Sequence, residues 1–488
     1  MKMLPLLRAR AARRPSATCR ILVAGTAALL LAGGLVPAAQ AQSLPVNKGL
    51  VAMGRLPGSL RDSFGETFGS GSGMATIDWQ KTPTGYAGSF LLLPDRGYNV
   101  EGTTDYSTRV NTLSVAFDMP EDGTAAQAAL KLDGTFLLTD TTGKPLTGLD
   151  PVTINTANGT PQGGPGLPGA VTGAVSLDPE AIVRLPDGSL MISDEYGPAI
   201  YHFSAEGKML SATLPPQAFL PMRKGKLDFS SDNPGPGAPH PDPKDPDTGR
   251  QNNQGFEGMA YDPATKQLTV VLQSATRQDG GDRKSTRQDS RALVYDAADP
   301  DHLKLTAEYV VPLPVFKDDD KTLVAAQSEL TALGDGRFLL LSRDSNNGWG
   351  VKGATSLYRR VDLLDLNGAT NIAGTRFDGL EPVAPKGVLD AAVTPARLAG
   401  PVVDINDNAQ LARVGLHNGE PHDPTDLPEK WESMAIVPAL DPANPKDVFL
   451  LVANDNDFLT KTGHQAGADY DAGADVDTLV LVYRLTLP

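Results

Sequence analysis

Cysteine is almost absent from this chain. The single copy, Cys19, precedes the one long apolar run, so the rest of the sequence offers no disulfide and no thiol nucleophile. Histidine is scarce as well: His202, His240, His302, His417, His422 and His464 show no metal-ligand spacing such as H-E-x-x-H. No Arg-His-Gly sequence supplies a phosphohistidine nucleophile, and Gly69-Ser70-Gly71-Ser72-Gly73 misses the G-x-S-x-G register. Beyond Val36 no stretch is long and apolar enough to span a membrane. Positive charge is in deficit, 43 Lys and Arg against 58 Asp and Glu. That balance argues against nucleic acid or an anionic membrane as partner.

What is present begins with a leader. Arg8, Arg10, Arg13, Arg14 and Arg20 make a basic start, Ile21 to Val36 an apolar stretch, and Ala39-Gln40-Ala41 a small-x-small cleavage pattern. Residues 1–41 are therefore expected to be a signal peptide, with Arg13-Arg14 leaving twin-arginine export open. The mature product is expected to be one periplasmic or secreted domain, residues 42–488, monomeric and without a lipid anchor. Six Lys or Arg and no acid leave with the leader, which takes the formal balance from −15 to −21. A domain of this size buries a large core without disulfide staples.

Helical periodicity is rare, and short apolar runs alternate with Gly, Pro, Asn and Asp clusters, the pattern of many short strands. One motif occurs five times: Glu-x-Met-Ala or a variant, a turn, then an apolar triplet closed by Asp, Arg or Asn. The copies open at Ser72-Gly73-Met74-Ala75, Pro179-Glu180-Ala181-Ile182, Phe256-Glu257-Gly258-Met259, Ser328-Glu329-Leu330-Thr331 and Trp431-Glu432-Ser433-Met434. Four close at Asp95-Arg96, Asp194-Glu195, Arg343-Asp344 and Asn454-Asp455, and the copy at Glu257 ends in Gln273-Ser274 instead. The four Glu positions lie 77, 72 and 103 residues apart. Each unit has room for about four strands plus surface loops, which is a propeller blade with insertions. The expected fold is all-β: a β-propeller of four-stranded antiparallel blades, six in number with seven as the alternative. Leu113 to Phe117 and Thr135 to Leu138 supply further strands to that count. A β-sandwich also uses many short strands but does not explain so long a repeat. A C-terminal strand near Leu479 to Leu487 is expected to close the ring against N-terminal sequence. Residues 156–173 and 233–253, rich in Gly, Pro and Asp, are expected as loops.

The repeat carries a site. In an antiparallel hairpin the start of the first strand lies beside the end of the second. Around a shared axis, Glu180, Glu257, Glu329 and Glu432 are therefore expected to face one another. Asp194, Glu195, Asp344, Asp455, Arg96 and Arg343 are expected just outside them. Unit charges a few Å apart repel by about 4 kcal/mol at an effective dielectric near 20. The cluster must shift pKa values, pair with arginine or bind cations. All-oxygen ligands suit a hard divalent cation, calcium first. The candidate ligands are Glu180, Glu257, Glu329, Glu432, Glu195 and Asp455. That these carboxylates only hydrogen-bond neighbouring blade amides stays open. Asp404-Ile405-Asn406-Asp407-Asn408 begins like an EF-hand loop, but Ala409 and Gly415 break that pattern.

With a cation in place, a small-molecule ester or phosphoester is the expected substrate. Arg96 and Arg343 would steady phosphate oxygens, and Asp95, Asp194 or Asp344 would act as general base. Lactonase-like hydrolysis of a carboxylic ester could use the same metal without the arginines. Outside enzymology, the rival reading is a non-catalytic, calcium-stabilised envelope scaffold.

Asp95-Arg96-Gly97, Pro179-Glu180-Ala181, Phe256-Glu257-Gly258-Met259 and Trp431-Glu432-Ser433 together resemble the bacterial phytase-like family described as having esterase-like activity. The resemblance runs from about Gly54 to Tyr483. It implies a propeller and a hydrolase activity by analogy with calcium-dependent propeller phytases, whose own ligands do not map here residue by residue. The Glu opening an inner strand is also similar to the metal-binding Glu of gluconolactonase-like propellers. Fold alone does not fix chemistry.

Overall fold

Five blade sheets follow one another along the chain, four of them four-stranded and antiparallel and the last with a short fifth strand, Ala126–Gln127, paired in parallel at its edge. The computed structural model describes residues 43–488 apart from 70, 100, 101, 158, 346 and 351–354. The leader, its cleavage pattern and Arg13-Arg14 lie outside the described residues. Blade 1 runs Gly73–Lys81, Gly85–Leu93, Arg109–Asp118 and Ala129–Leu137. Blade 2 runs Pro179–Arg184, Leu190–Asp194, Ile200–Phe203 and Met209–Thr213, and blade 3 Phe256–Asp262, Gln267–Leu272, Asp289–Asp296 and Lys304–Pro312. Blade 4 runs Ala326–Gly334, Arg337–Arg343, Arg359–Asp365 and Arg397–Asp404. Blade 5 takes Lys430–Pro438, Asp447–Asp455 and Thr478–Thr486 from the end of the chain and Val46–Leu56 from its start. The first strand of each blade touches the first strands of both neighbours, so these five strands form a closed ring about the axis.

The local chemistry follows the turn signals. Asp335 and Gly336 join the first two strands of blade 4 with φ of 54° and 70°. Two positive φ values make the hairpin turn whose twist matches its strands, and Asp-Gly tolerates them. Each sheet then buries both faces. Leu92 and Phe90 of blade 1 meet Phe449 and Leu451 of blade 5, while Leu91 and Leu93 pack against Ile182 and Ile192 of blade 2. Three further apolar layers join blades 2 and 3, 3 and 4, and 4 and 5. Alternation along one strand therefore feeds two different cores.

The propeller has five blades, not the expected six or seven. Every repeat copy is one blade, and Leu113 to Phe117 and Thr135 to Leu137 lie in the outer strands of blade 1. The surplus length went into insertions. Thr153–Asn155 pairs with Leu167–Gly169 as a small hairpin outside the blades. The segment before blade 3 is pinned by buried polar groups: Asp150 accepts from the Ser231 N–H (2.6 Å), Ser230 Oγ (2.9 Å) and the Asn233 N–H (3.0 Å). Fully buried Arg250 donates from Nη2 to the Tyr196 carbonyl (2.8 Å), which brings Asn253 and Gln254 over the axis. These loops order themselves on fixed hydrogen bonds rather than on a core of their own.

Ring closure rests on Thr478–Thr486, which pairs with Asp447–Asp455 on one side and Val46–Leu56 on the other. Leu479, Val480, Leu481, Val482, Tyr483 and Leu485 are each at most 1% exposed. Six such side chains contribute about 9–18 kcal/mol by burial, as much as the whole net stability of a typical domain, about 5–15 kcal/mol. Deleting residues 478–488 should abolish cooperative unfolding in calorimetry. A truncated protein that melts like the full-length one would overturn this role for the strand.

Candidate functional site

The inner strands open with a bulge that aims one side chain at the axis. In blade 3, Phe256 pairs with Leu272 and Met259 with Val270, so Glu257 and Gly258 together oppose one residue. Blade 5 pairs Trp431 with Asn454 and Ser433 with Ala453, leaving Glu432 extra, and blade 2 bulges at Glu180-Ala181. A bulge bends the strand and re-aims its side chain. In blade 4 the extra residue is Ser328, between the pairs Gln327–Ser342 and Glu329–Leu341. Glu329 therefore stands one position past Glu180, Glu257 and Glu432, beside Gly258, where a Cβ would come within 2.6 Å of the Glu329 backbone. Its Oε1 accepts from the Leu330 N–H (2.7 Å) and the Met259 N–H (3.4 Å). The structure brings Glu180, Glu257 and Glu432 together and leaves Glu329 deeper along the channel.

A cavity of about 280 Å³ lies at this end of the axis, lined by those three Glu together with Asp95, Arg96, Asp178, Glu195, Arg343, Lys430 and Asp457. Charge divides it into two halves. In the first, Lys430 Nζ lies 3.0 Å from Asp457, 3.1 Å from Asp455, and 3.4 Å from both Asp95 and Glu432. Burial pushes the Asp455 carboxyl up, but Lys430 and the Asp457 N–H outweigh it and hold the group below its usual range. Burial and then the neighbouring Asp455 push Asp95 well above its own, and burial takes Asp457 to about 6.

The second half has no such ammonium at its centre. Oxygens of Asp178, Glu180 and Glu195 lie within 4.8 Å of one another, all three buried. Arg96 Nη1 sits 2.8 Å from Asp178 Oδ2 and also bonds Asn253, while the Arg96 backbone N–H donates to Asp178 Oδ1 (3.2 Å). Glu195 Oε1 and Glu257 Oε2 are buried without a hydrogen-bond partner among the described residues, while the other Glu257 oxygen accepts from Gln273. At 4.8 Å and an effective dielectric near 20, each ionised pair repels by about 3.5 kcal/mol. Burial first, and neighbouring carboxylates second, push Glu180, Glu195 and Glu257 well above the usual range, with Glu257 the chief neighbour of Glu180, Asp178 that of Glu195 and Glu195 that of Glu257.

Both arginines line the cavity, and both are ion-paired. Arg343 Nη2 binds Glu432 and its Nη1 lies 3.7 Å from Glu429, so these carboxylates outweigh burial and hold the guanidinium charged. Asp194 and Asp344 lie behind the cavity wall. Asp194 accepts from the N–H groups of Asp178 (3.0 Å), Tyr196 (3.1 Å) and Gly197 (2.7 Å), and burial takes its carboxyl to about 7. Asp344 accepts from Ser356 Oγ and the Leu357 N–H, both 2.7 Å, and so anchors a loop.

Sequence reasoning missed Asp178, Lys430 and Asp457. Asp178 and Lys430 each stand two residues ahead of a bulged Glu, at Glu180 and Glu432. Side chains two apart on extended chain share a face, so the repeat held that signal.

The chain matches the family described as phytase-like, esterase-like activity of phytase, over residues 67–458. It belongs to that phytase-like family. The matched span takes in every charged residue of the cavity, from Asp95 to Asp457. A relative of 38% identity over 454 residues, covering 85% of this chain and 88% of its own, is an uncharacterised secreted protein of the fungus Arthroderma benhamiae. This relative is fungal, so the family membership stands without the expected restriction to bacteria. Among solved structures, a luciferin-regenerating enzyme (10% identity, 86% of this chain and 93% of that one, TM-score 0.25) and a gluconolactonase of Xanthomonas campestris (11%, 82% and 90%, TM-score 0.25) are too distant to carry an argument.

Two stability measurements test the electrostatics of this phytase-like site. A carboxyl with a raised folded pKa contributes stability that is fully present below its unfolded value and lost as pH rises through the folded one. Asp457 and Asp194 do so through about 6 and 7. Asp455, held low, loses its contribution as pH falls through its folded value, below 3.8. The cation-free protein should be most stable near pH 4, about the unfolded carboxylate value, with Tm falling from pH 5 to pH 8; a flat or rising Tm over that range would contradict the assignment. Lys430→Met should cost about 3–5 kcal/mol at pH 7.5, the usual cost of stripping a buried charge of its partner. Urea denaturation should show a smaller loss at pH 5, and a loss under about 1 kcal/mol at both would mean that Lys430 is not the counter-ion.

Proposed function

We propose that the chain is an exported, metal-dependent hydrolase of phosphoesters or related esters, acting at the acidic end of the propeller channel. The observation that carries the reading is the pair of buried, unpartnered carboxylate oxygens, Glu195 Oε1 and Glu257 Oε2, beside the close cluster of Asp178, Glu180 and Glu195. Leaving such acceptors bare is costly, and a hard cation with oxygen ligands satisfies them together. The donor set therefore fits calcium: Asp178, Glu180 and Glu195 as the core of the site, with Glu257 at its edge. Glu432 and Asp455 have their charge met by Arg343 and Lys430 and fall outside that core. Export is supported by the N-terminal leader and by the fungal relative's description as a secreted protein.

When bound, a divalent cation supplies Lewis-acid polarisation of the ester and a water more acidic than bulk. The chain's own residues supply the rest. Arg96 and Arg343 stand on the cavity wall in fixed orientations, held by Asp178 and Glu432, where further guanidinium N–H groups meet phosphate oxygens. Asp95 lines the cavity with a raised pKa and Lys430 beside it, and it is placed to take a proton from water. Asp194 and Asp344 are saturated by backbone and side-chain donors and position the loops instead.

One observation favours a second substrate class. Because both guanidiniums are already ion-paired, an uncharged carboxylic ester or lactone would meet less repulsion here than a phosphomonoester. A panel of phytate, simple phosphomonoesters, carboxylic esters and lactones, with and without calcium, separates the two. Calcium-dependent turnover should fall at least a hundred-fold in Glu195→Gln and Glu257→Gln. Calcium at a hundred times its Kd should stabilise the wild type by about 2.7 kcal/mol, and much less in the same variants. Calcium stabilisation without turnover on any class would point to the scaffold; an unchanged Tm at high calcium would sink the metal site.

A further inference from the structure

Beyond the acidic end, the same five inner strands line a second cavity of about 490 Å³. Its wall is set by the repeat. The residues two positions past Ser72, Glu180, Glu257, Ser328 and Glu432 are Met74, Ile182, Met259, Leu330 and Met434. All five are buried and all five line this cavity. Glu329, only 2% exposed, lines it with them because of the register of blade 4. Its Oε1 holds two backbone N–H groups, and Oε2 makes no hydrogen bond and no ion pair among the described residues.

We propose that this end of the channel is a second ligand site, for a small molecule with an apolar body and an ammonium head that pairs with Glu329. A mostly apolar wall with a few polar groups, here Glu329 with Arg184 and Tyr261, is the usual composition of a small-molecule site. Three methionines let the wall adapt to an aliphatic chain, since a flexible thioether side chain repacks at little cost. The head group follows from charge. Arg184, the one cation among the described lining residues, is exposed and makes no ion pair with Glu329, and burial pushes the Glu329 carboxyl well above the usual range. An ammonium restores the ionised form with a charge-assisted hydrogen bond that an alcohol lacks and a carboxylate opposes. The proposal stands on different residues from the acidic site and does not depend on catalysis there.

Titration calorimetry of the mature protein with hexylammonium, hexanol and hexanoate tests it. Hexylammonium should bind one saturable site, at least ten-fold more tightly than hexanol, with hexanoate not binding. Glu329→Gln should weaken hexylammonium at least ten-fold, whereas Glu257→Gln should leave it unchanged. Absence of saturable binding, equal affinity in Glu329→Gln, or loss in Glu257→Gln instead would each overturn the proposal. Should Glu329→Gln not fold, Tyr261→Trp places a reporter in the cavity wall. Its emission should then shift with hexylammonium and not with hexanoate, and no shift with either would count against the site.

Discussion

Ring closure is the constraint on which the rest depends. Each sheet buries both faces, so a blade without two neighbours leaves an apolar face in water, and only a complete circle removes every such face. Here the circle closes inside blade 5, where Val46–Leu56 from the start of the chain pairs with Thr478–Thr486 from its end. The axis exists only in the closed ring, and both cavities lie along that axis. Site and stability are therefore one problem in this fold.

Closing the ring forces like charges together. Among the described residues, eight carboxylates and three cationic side chains line the acidic cavity. The protein meets part of that imbalance internally. Lys430 sits among Asp95, Asp455, Asp457 and Glu432 much as an ion would, and Arg343 answers Glu432 from the next blade. Around Asp178, Glu180 and Glu195 the compensation stops short, with one guanidinium on one carboxylate and a buried oxygen left bare. A group held well above its usual pKa in a cleft, with a named cause, is the physical mark of a functional site. That unevenness, more than the number of acids, separates this half of the cavity from an ordinary buried salt-bridge network.

Most of the blade architecture was legible because strand chemistry is local. The fivefold motif marked every inner hairpin, including the degenerate copy at Ser72, and Asp-Gly turns marked those of blades 2 and 4. The blade count was not legible. Insertions such as residues 138–178 and 214–255 contain short apolar runs that resemble strands. Within them Thr153–Asn155 pairs with Leu167–Gly169, and Asp150 and Arg250 tether the backbone of residues 229–233 and Tyr196 by hydrogen bonds instead of extending a blade. Glu329 shows the other limit. It matches Glu257 in the motif, yet a bulge shifted by one residue sends it to a different cavity, since one residue of register changes the face a side chain occupies.

What the sequence determined by itself is the unit: a hairpin that ends on a polar residue and opens on an acid in four copies and on Ser72 in the fifth, along an acidic chain whose single cysteine lies at Cys19. Which of those acids meet was decided only by the tertiary structure. Bulge position, blade number and the arrival of Lys430 among the aspartates all depend on how neighbouring sheets pack. Packing sets distances between residues far apart in sequence, and Coulomb energy follows distance. The motif assigns equal standing to Glu180, Glu257, Glu329 and Glu432; the packed ring makes them unequal.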